Sequence, residues 1–393
     1  MKSYLITIYE ELCLCAVFHR LTEKPLFKAF EGYCLAENTQ QKRKAYTAFV
    51  AEIYEQGGSL TALVERLVSE DENTYIKRVA GKQEVDINIQ NSLLRELSVL
   101  SKFASLTAKD FAKDMDVAED SLPQFTSVKA DMVASYNNRI ANLHKYGYGI
   151  FSSVCMFRLS DDKKIEPIVS ADKISMAQFI GYEQEREKIV ANTRAFVEGR
   201  PAANALLCGD AGTGKSSTVK AVANAFFDEG VRLIELRKDQ LRYLPLVMAQ
   251  ISGNPLKFII FIDDLSFNQN NDDFSMLKAA LEGSASATAD NAVIYATSNR
   301  RHIIKESFGD REGDDVHRND TMQETLSLSE RFGLTVLFSK PNKQLYLKIV
   351  KELALRAGIT MDEKELEIQA EAFALRKGNR SARCAEQFIN SLL

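Results

Sequence analysis

Apolar side chains recur at three- and four-residue spacing over the first 148 residues, which is typical of amphipathic helices. The pattern is clearest in SLLRELSVLSKFASLTAKDFAKDM, residues 92–115, and in KADMVASYNNRIANLHKYG, residues 129–147. The polar segment KQEVDINIQNS between residues 82 and 92 is predicted to be a connector. GIFSSVCMFRL, residues 149–159, is rich enough in β-branched and aromatic residues to form a strand. We therefore predict a mostly helical N-terminal domain with one short β segment.

From about residue 171 the chain alternates between short apolar segments and amphipathic ones, which predicts a parallel sheet with helices on both faces. The candidate strands are NALLCG, VRLIEL, KFIIFID, NAVIYATS and LTVLFS. The candidate helices between them are KSSTVKAVANAFFDEG, DQLRYLPLVMAQIS and DFSMLKAALEG. The tail is helical again. The predicted domains are thus a helical domain with a short β segment and a linker at 1–170, an α/β core at 171–340 and a helical lid at 341–393.

Composition limits the classes of function. With 393 residues, 45% of them hydrophobic and 26% charged, the chain has the composition of a globular protein with two or three domains. The net charge of −4 gives no indication of nucleic-acid binding, although the basic segments QQKRKAY and NRRH are compatible with contacts to phosphates. The cysteines lack metal-binding spacing, and no apolar run reaches the roughly 18 residues of a membrane span. We expect a cytoplasmic protein without a membrane segment.

The first candidate strand ends in GDAGTGKSS, which matches the phosphate-binding pattern G-x-x-x-x-G-K-[ST]. The pattern also occurs by chance in glycine-rich loops, but here a strand precedes it and a helix follows it. Backbone N–H groups of such a loop face a phosphate, Lys215 reaches the β and γ phosphates, and Ser216 can ligate Mg²⁺. The predicted phosphate-binding residues are Gly209, Asp210, Ala211, Gly212, Thr213, Gly214, Lys215, Ser216 and Ser217.

The apolar segment FIIFIDD ends in two adjacent carboxylates, Asp263 and Asp264. Such a pair is costly at the end of a buried strand unless a cation lies beside it. In P-loop proteins a later strand delivers an aspartate that holds Mg²⁺ next to the P-loop serine, and Asp263 fits that role. Asp264 is the candidate general base that orients and deprotonates the attacking water. The alternative is that both residues only cap the following turn.

Two further polar positions belong to the same predicted geometry. Asn299 ends the candidate strand AVIYATSN and would point at the γ-phosphate or the attacking water, with Thr297 and Ser298 as alternates. This segment could instead be a surface turn. Arg331, in LSERFG, precedes the last candidate strand, and an arginine given to a neighbour's γ-phosphate accelerates phosphoryl transfer by roughly 10³-fold or more. Its alternative role is an exposed salt bridge.

These motifs, in this order, resemble those of the AAA+ ATPases, a P-loop family with an α/β core and a helical lid. The matching segments are FIGYEQEREKI, GDAGTGKSS, FIIFIDD, YATSNRRH, LSERFG and GNRSARCAEQF. More narrowly, NALLCGDAGTGKSSTVKA, IDDLSF, LEG and ATSNRRH resemble an uncharacterised bacterial AAA+ family catalogued as domain of unknown function 815. The resemblance covers about residues 174–388 and is less distinct in the N-terminal half.

The resemblance implies roles for further residues. It implies a sensor at Asn299, an arginine finger at Arg331, and a second sensor in the lid. Arg383 is preferred to Arg380 for this second sensor, and the alternative is that both arginines only solvate the C-terminal helix. The residues implied to surround the nucleotide base are Phe179, Ile180 and Gly181.

The resemblance also implies ATP and Mg²⁺ as cofactors and an oligomeric ATPase, a motor or switch that remodels or loads a macromolecular partner. The N-terminal domain would select a protein partner. Most AAA+ proteins carry Asp-Glu where this chain has Asp263 and Asp264, and the shorter base is retracted by about 1.5 Å, which can lower the rate on the order of 10²-fold. A nucleotide-dependent adaptor or loader with little turnover is therefore one alternative, and a P-loop kinase of a small molecule is another.

Overall fold

The computed structural model describes residues 3–170, 174–265, 277, 281, 290–299 and 331–393. The chain divides into two compact units, Met1–Ser153 and Val154–Leu393. The predicted helix DFSMLKAALEG lies almost entirely outside the described residues, as does most of the basic segment NRRH. None of the helices in the described part of the chain is long and apolar enough to cross a membrane.

The first unit is helical, because its apolar residues fall on one face of successive helices. In the sixth helix, for example, Leu93, Leu97 and Leu100 are buried. The Asp86 carboxylate accepts the Asn88 N–H at 2.8 Å and begins this helix, so the segment predicted as a connector contains its first turn. The helices are α1 Tyr4–Leu12, α2 Pro25–Cys34, α3 Thr39–Glu55, α4 Leu60–Glu70, α5 Thr74–Ala80, α6 Ile87–Ala104, α7 Ala108–Met115, α8 Met132–Ala141 and α9 Leu143–Tyr146.

A seven-stranded sheet forms the centre of the second unit, and all five predicted strands are part of it. The strands are β1 Met156–Leu159, β2 Ile165–Pro167, β3 Ala205–Gly209, β4 Val231–Leu236, β5 Lys257–Ile262, β6 Ala292–Ser298 and β7 Leu334–Phe338. Their order is β2-β1-β4-β5-β6-β3-β7, and every pair is parallel except the antiparallel β1 and β2. The central strands are apolar and buried because helices cover both faces of a parallel sheet.

The short β segment assigned to the N-terminal domain instead extends this sheet. Its first residues, Gly149–Ser152, form a 3₁₀ turn, and β1 begins only at Met156. β1 then pairs with β4, with Phe157 opposite Ile234, so it belongs to the second unit. The prediction of a strand in this segment is confirmed, but the hydrophobic pattern cannot show which other strand it pairs with.

The helices of the second unit complete an α/β core around the P-loop and form a helical lid at the C-terminal end. Those of the core are α10 Glu183–Val197, α11 Lys215–Ala225 and α12 Leu244–Ile251, and those of the lid are α13 Lys343–Arg356, α14 Glu363–Lys377 and α15 Ala382–Asn390. The lid has its own apolar core, in which Tyr346, Ala370 and Ala385 are fully buried. Since β3 is flanked by β6 and β7, the P-loop after β3 lies at the middle of the carboxyl edge of the parallel strands.

Candidate functional site

The loop between β3 and α11 has a backbone that requires glycine. Gly209 has a φ of +134°, and a Cβ there would lie 2.1 Å from the Phe338 carbonyl oxygen on β7. Gly214, the residue that caps α11, has a φ of +87°. A side chain at either position would be strained. The loop therefore wraps closely over the end of the sheet and leads directly into the positive end of α11, the arrangement that binds phosphate.

Lys215 lies inside this loop and is 5% exposed. Its ammonium donates hydrogen bonds to the carbonyl oxygens of Gly209 at 3.1 Å and Asp210 at 2.7 Å, and to Asn299 Oδ1 at 2.9 Å. Burial lowers the pKa of Lys215, and the neighbouring acidic groups, Asp210 first among them, only partly oppose this. The ammonium is thus held at the place where the phosphate pattern requires it, next to the end of β6.

Asp263 is the centre of a compact set of hydrogen bonds at the end of β5. Its Oδ1 accepts the hydroxyls of Ser216 and Thr297, each at 2.6 Å, and the N–H of Asp264 at 3.0 Å. A serine hydroxyl and a carboxylate are hard oxygen ligands of the type that Mg²⁺ prefers, so this pair fits the predicted metal site. Thr297, considered only as an alternate to Asn299, positions Asp263 instead. Ser298 is buried at the end of β6.

Asn299 connects the lysine to the second carboxylate. Its Oδ1 accepts from Lys215, and its Nδ2 donates to Asp264 Oδ1 at 2.7 Å. Asp264 has a φ of +51°, in the left-handed region that aspartate and asparagine tolerate better than most residues. The structure therefore brings together the residues predicted for metal binding, general base and first sensor, at one edge of the sheet.

Lys238 is a contact of this site that sequence reasoning missed. Its ammonium lies 3.8 Å from Asp264 Oδ2, and both side chains are partly exposed. Lys238 follows β4, which is the neighbour of β5 in the sheet, so its approach to Asp264 follows from the strand order. A basic residue just after a predicted parallel strand was the available signal, because the carboxyl ends of neighbouring strands meet.

The residues implied to surround the base lie between the P-loop and the lid. Phe179 and Ile180 line a cavity with residues 212–214 of the P-loop and with Leu353 and Arg383 of the lid. Gly181 has a φ of +74°, and a Cβ there would lie 2.5 Å from a methyl group of Leu345 on α13. The cavity is thus lined both by backbone of the phosphate pattern and by apolar side chains, and a nucleotide needs the first for its phosphates and the second for its base.

The two lid arginines have different surroundings. The backbone N–H of Arg383 lies 3.4 Å from the Gly212 carbonyl oxygen, and the side chain lines the cavity just described. Arg380 instead donates two hydrogen bonds to Glu371 within the lid, at 3.0 and 2.7 Å. The hydrogen bonds to Glu371, and then its charge, raise the pKa of Arg380. Of the two candidates, only Arg383 is brought to the P-loop.

Arg331 stands at the other end of the sheet. It precedes β7, in which Leu334 pairs with Ala205 and Phe338 pairs with Gly209 at the start of the P-loop. The rise of β7 alone, about 3.3 Å per residue, separates its two ends by roughly 13 Å. The structure therefore does not bring Arg331 to the cluster around Lys215 in the same chain.

Comparisons with known proteins identify a family and a distant similarity to solved structures. Residues 152–393 match the model of a family described as Protein of unknown function (DUF815). Among solved structures, the chain is similar to the RuvB Holliday junction branch migration motor of Thermotoga maritima, with 14% identity over 56% of this chain and 72% of that one and a TM-score of 0.35. A point mutant of the same protein is 16% identical over 56% and 73% of the two chains, also with a TM-score of 0.35. No curated protein is significantly similar to the chain.

Proposed function

Since the chain belongs to the DUF815 family, whose description assigns no activity, we propose a function from the site itself. The protein is an ATPase of the AAA+ type, a motor or switch that works as an oligomer on a macromolecular partner. The observation that supports this proposal is the hydrogen-bonded cluster of Lys215, Ser216, Asp263, Asp264 and Asn299 at one edge of the sheet. Each member has the chemistry that one step of phosphoryl transfer needs.

The residues divide the work of the reaction. The P-loop backbone and Lys215 bind the phosphates, and Ser216 and Asp263 would hold Mg²⁺, which neutralises charge on the β and γ oxygens when it is bound. Asp264 accepts the proton of the attacking water, and Asn299 fixes the carboxylate that does so. Arg383 contacts the phosphates from the lid. Movement of the lid relative to the core would then follow the state of the nucleotide.

In the assembled oligomer, a neighbouring subunit supplies the arginine that contacts the γ-phosphate. Because Arg331 precedes β7 at the edge opposite the P-loop, its target is the nucleotide of a neighbouring subunit. A head-to-tail contact of this kind closes into a ring when the rotation between subunits permits. The helical first unit is then available to select a protein partner, and nothing in the described residues favours nucleic acid over protein.

A second candidate function is a nucleotide-dependent adaptor or loader with little turnover. The observation that favours it is the state of Asp264, which is a short carboxylate with one oxygen bonded to Asn299 and the other near Lys238. These contacts hold the carboxylate on a side chain one methylene shorter than glutamate, so it reaches less far toward the attacking water. ATP occupancy, and not its hydrolysis, would then carry the signal.

Steady-state phosphate release, measured over a range of protein concentrations, tests both candidates. The ATPase proposal expects turnover that rises with concentration and that Arg331→Ala removes while nucleotide binding remains. Tight nucleotide binding without turnover at any concentration, alone or with candidate partners, supports the adaptor. Absence of nucleotide binding in a folded chain would refute both.

A further inference from the structure

Arg186, on the first turn of α10, is buried without an acidic partner in the described part of the chain. The residue is 6% exposed, and no carboxylate among the described residues lies within ion-pair distance of its guanidinium. Burial lowers its pKa, and Glu183 and Glu185 on the same helix only partly offset this. Buried arginines are normally paired, because taking a charge out of water is costly. The first turn also places the cation at the positive end of the helix dipole.

The nearest carboxylates on α10 form no ion pair with Arg186. Glu183 accepts the N–H of Gly181 at 3.1 Å and lies 3.5 Å from the ammonium of Lys348 on the lid. Glu185 is partly exposed and forms no ion pair with another described residue. Helix α10 therefore does not neutralise Arg186, and the missing negative charge has to come from outside the helix.

The guanidinium of Arg186 lies close to the phosphate loop. Its central carbon is 4.9 Å from the centroid of the Phe179 ring, a cation–π contact. The same ring is 3.7 Å from the position that a Cβ would take on Gly214, the last glycine of the loop. Arg186 also lines the cavity that Gly212, Gly214 and Ser217 line from the P-loop side. One aromatic ring thus lies beside both an unneutralised cation and the loop of the phosphate pattern, and the cation and the loop line the same cavity.

We propose that Arg186 is a further nucleotide-binding residue, whose guanidinium donates hydrogen bonds to the phosphate chain of the bound nucleotide. The inference rests on the nucleotide site proposed above and adds a residue to it. A guanidinium presents five N–H donors in a planar fork that matches phosphate oxygens. The base is a poorer target, because the adenine edge carries an amino donor beside N7, whereas guanine offers two acceptors there. The Phe179 ring holds the fork in one plane.

Equilibrium titrations of the full-length chain with ADP, GDP and adenosine test this proposal. Arg186→Gln is expected to weaken ADP binding about 10- to 100-fold, as expected for the loss of a charge-assisted hydrogen bond. The same factor is expected for GDP, and no change for adenosine, because only the phosphates are contacted. The control is Arg194→Gln on the same helix, an exposed arginine paired with Glu229 at 3.4 Å, which should bind all three ligands normally.

The outcomes separate this inference from the proposal on which it rests. Unchanged ADP affinity in Arg186→Gln, when the unaltered chain binds ADP, overturns the inference and leaves the proposed function standing. Unequal losses for ADP and GDP, or a loss for adenosine, overturn it in favour of a base contact. If the unaltered chain binds no nucleotide, the proposed function itself fails. Should Arg186→Gln not fold, Arg186→Met serves, since it keeps an unbranched stem in this buried position and removes every N–H donor, and normal ADP affinity in that variant contradicts the proposal.

Discussion

Replacing Asp263 and Asp264 separately with asparagine should divide nucleotide binding from hydrolysis. The two carboxylates are adjacent, yet their contacts differ. Asp263 Oδ1 accepts three hydrogen bonds from the P-loop helix, β6 and the backbone. The Asp264 side chain is 58% exposed and has one amide contact and one distant ammonium. Asparagine preserves the shape of both residues and removes only the charge, so the comparison isolates what each charge does.

The expected magnitudes follow from these contacts. An exposed ion pair contributes about 0–1 kcal/mol, and asparagine tolerates a left-handed backbone, so Asp264→Asn should lower the free energy of unfolding by less than about 1 kcal/mol. Loss of a general base should lower turnover by about 10²- to 10⁴-fold. A hydrogen bond to a charged group exceeds a neutral one by about 1 kcal/mol, so Asp263→Asn should cost about 1–3 kcal/mol of stability. It should also abolish the effect of Mg²⁺ on nucleotide affinity.

Three measurements on each variant check this expectation: thermal unfolding, nucleotide titration with and without Mg²⁺, and phosphate release. Asp239→Asn is the control, because Asp239 is an exposed carboxylate paired with Arg237 on the surface. Asp264→Asn should bind nucleotide normally in both titrations. Equal losses of Mg²⁺-dependent affinity in the two site variants would refute the assignment of metal binding to one carboxylate and of base catalysis to the other.

Four further predictions concern the remaining charges of the site. Lys215→Met should weaken ATP binding by about 10²-fold or more through two lost phosphate contacts, whereas Lys220→Met on the same helix should not, as calorimetry would show. Because burial lowers the pKa of Lys215, the unfolded chain binds more protons between that pKa and the ordinary lysine value, so the stability due to Lys215 should increase with pH across this window, a trend missing from Lys215→Met unfolding curves. Arg331→Ala and Lys215→Met chains, each inactive alone, should regain ATPase activity when mixed, and no recovery between chains shown to exchange subunits would point to an arginine that acts within its own chain. Arg380→Ala should lower the melting temperature and leave nucleotide affinity unchanged. Arg383→Ala should lower nucleotide affinity and leave the melting temperature unchanged. The opposite result would make Arg380 the nucleotide-binding arginine and Arg383 the structural one.

The parts of the molecule that sequence could predict are those fixed by local pattern. The apolar segments before Asp263 and Asn299 form β5 and β6, because short runs rich in β-branched and aromatic residues suit a sheet covered on both faces. Gly209, Gly214 and Lys215 have the spacing of the phosphate-binding pattern, because the geometry of the loop requires those residues at those positions. The P-loop pattern also predicted that Asp263 and Ser216 would meet, because in P-loop proteins an aspartate after a later strand lies next to the P-loop serine.

What sequence could not predict depends on partners distant along the chain. Arg380 and Arg383 look alike in sequence, and they are distinguished by the approach of Glu371 to Arg380 and of the P-loop to Arg383. Lys238 becomes a contact of Asp264 because β4 happens to lie beside β5. Arg186 sits in the charged run EQEREK, which looks like an exposed helix face, and its burial follows from the packing of α10. In each case tertiary contacts, and not local preference, decide the role.

The hairpin of β1 and β2 also determines where the chain can be truncated without exposing the sheet. β2 is three residues long and ends in Pro167, which has no N–H to offer another strand, so it closes one margin of the sheet against aggregation. A truncated protein that starts at residue 171, the domain boundary predicted from the hydrophobic pattern, would lose this closure. It would expose the backbone of β4, a strand buried along nearly its whole length, whose Leu233, Ile234 and Glu235 pair with β1. Such a strand is a template for intermolecular pairing. A protein that starts near residue 154 keeps β1 and β2, which pair beside β4 and protect it.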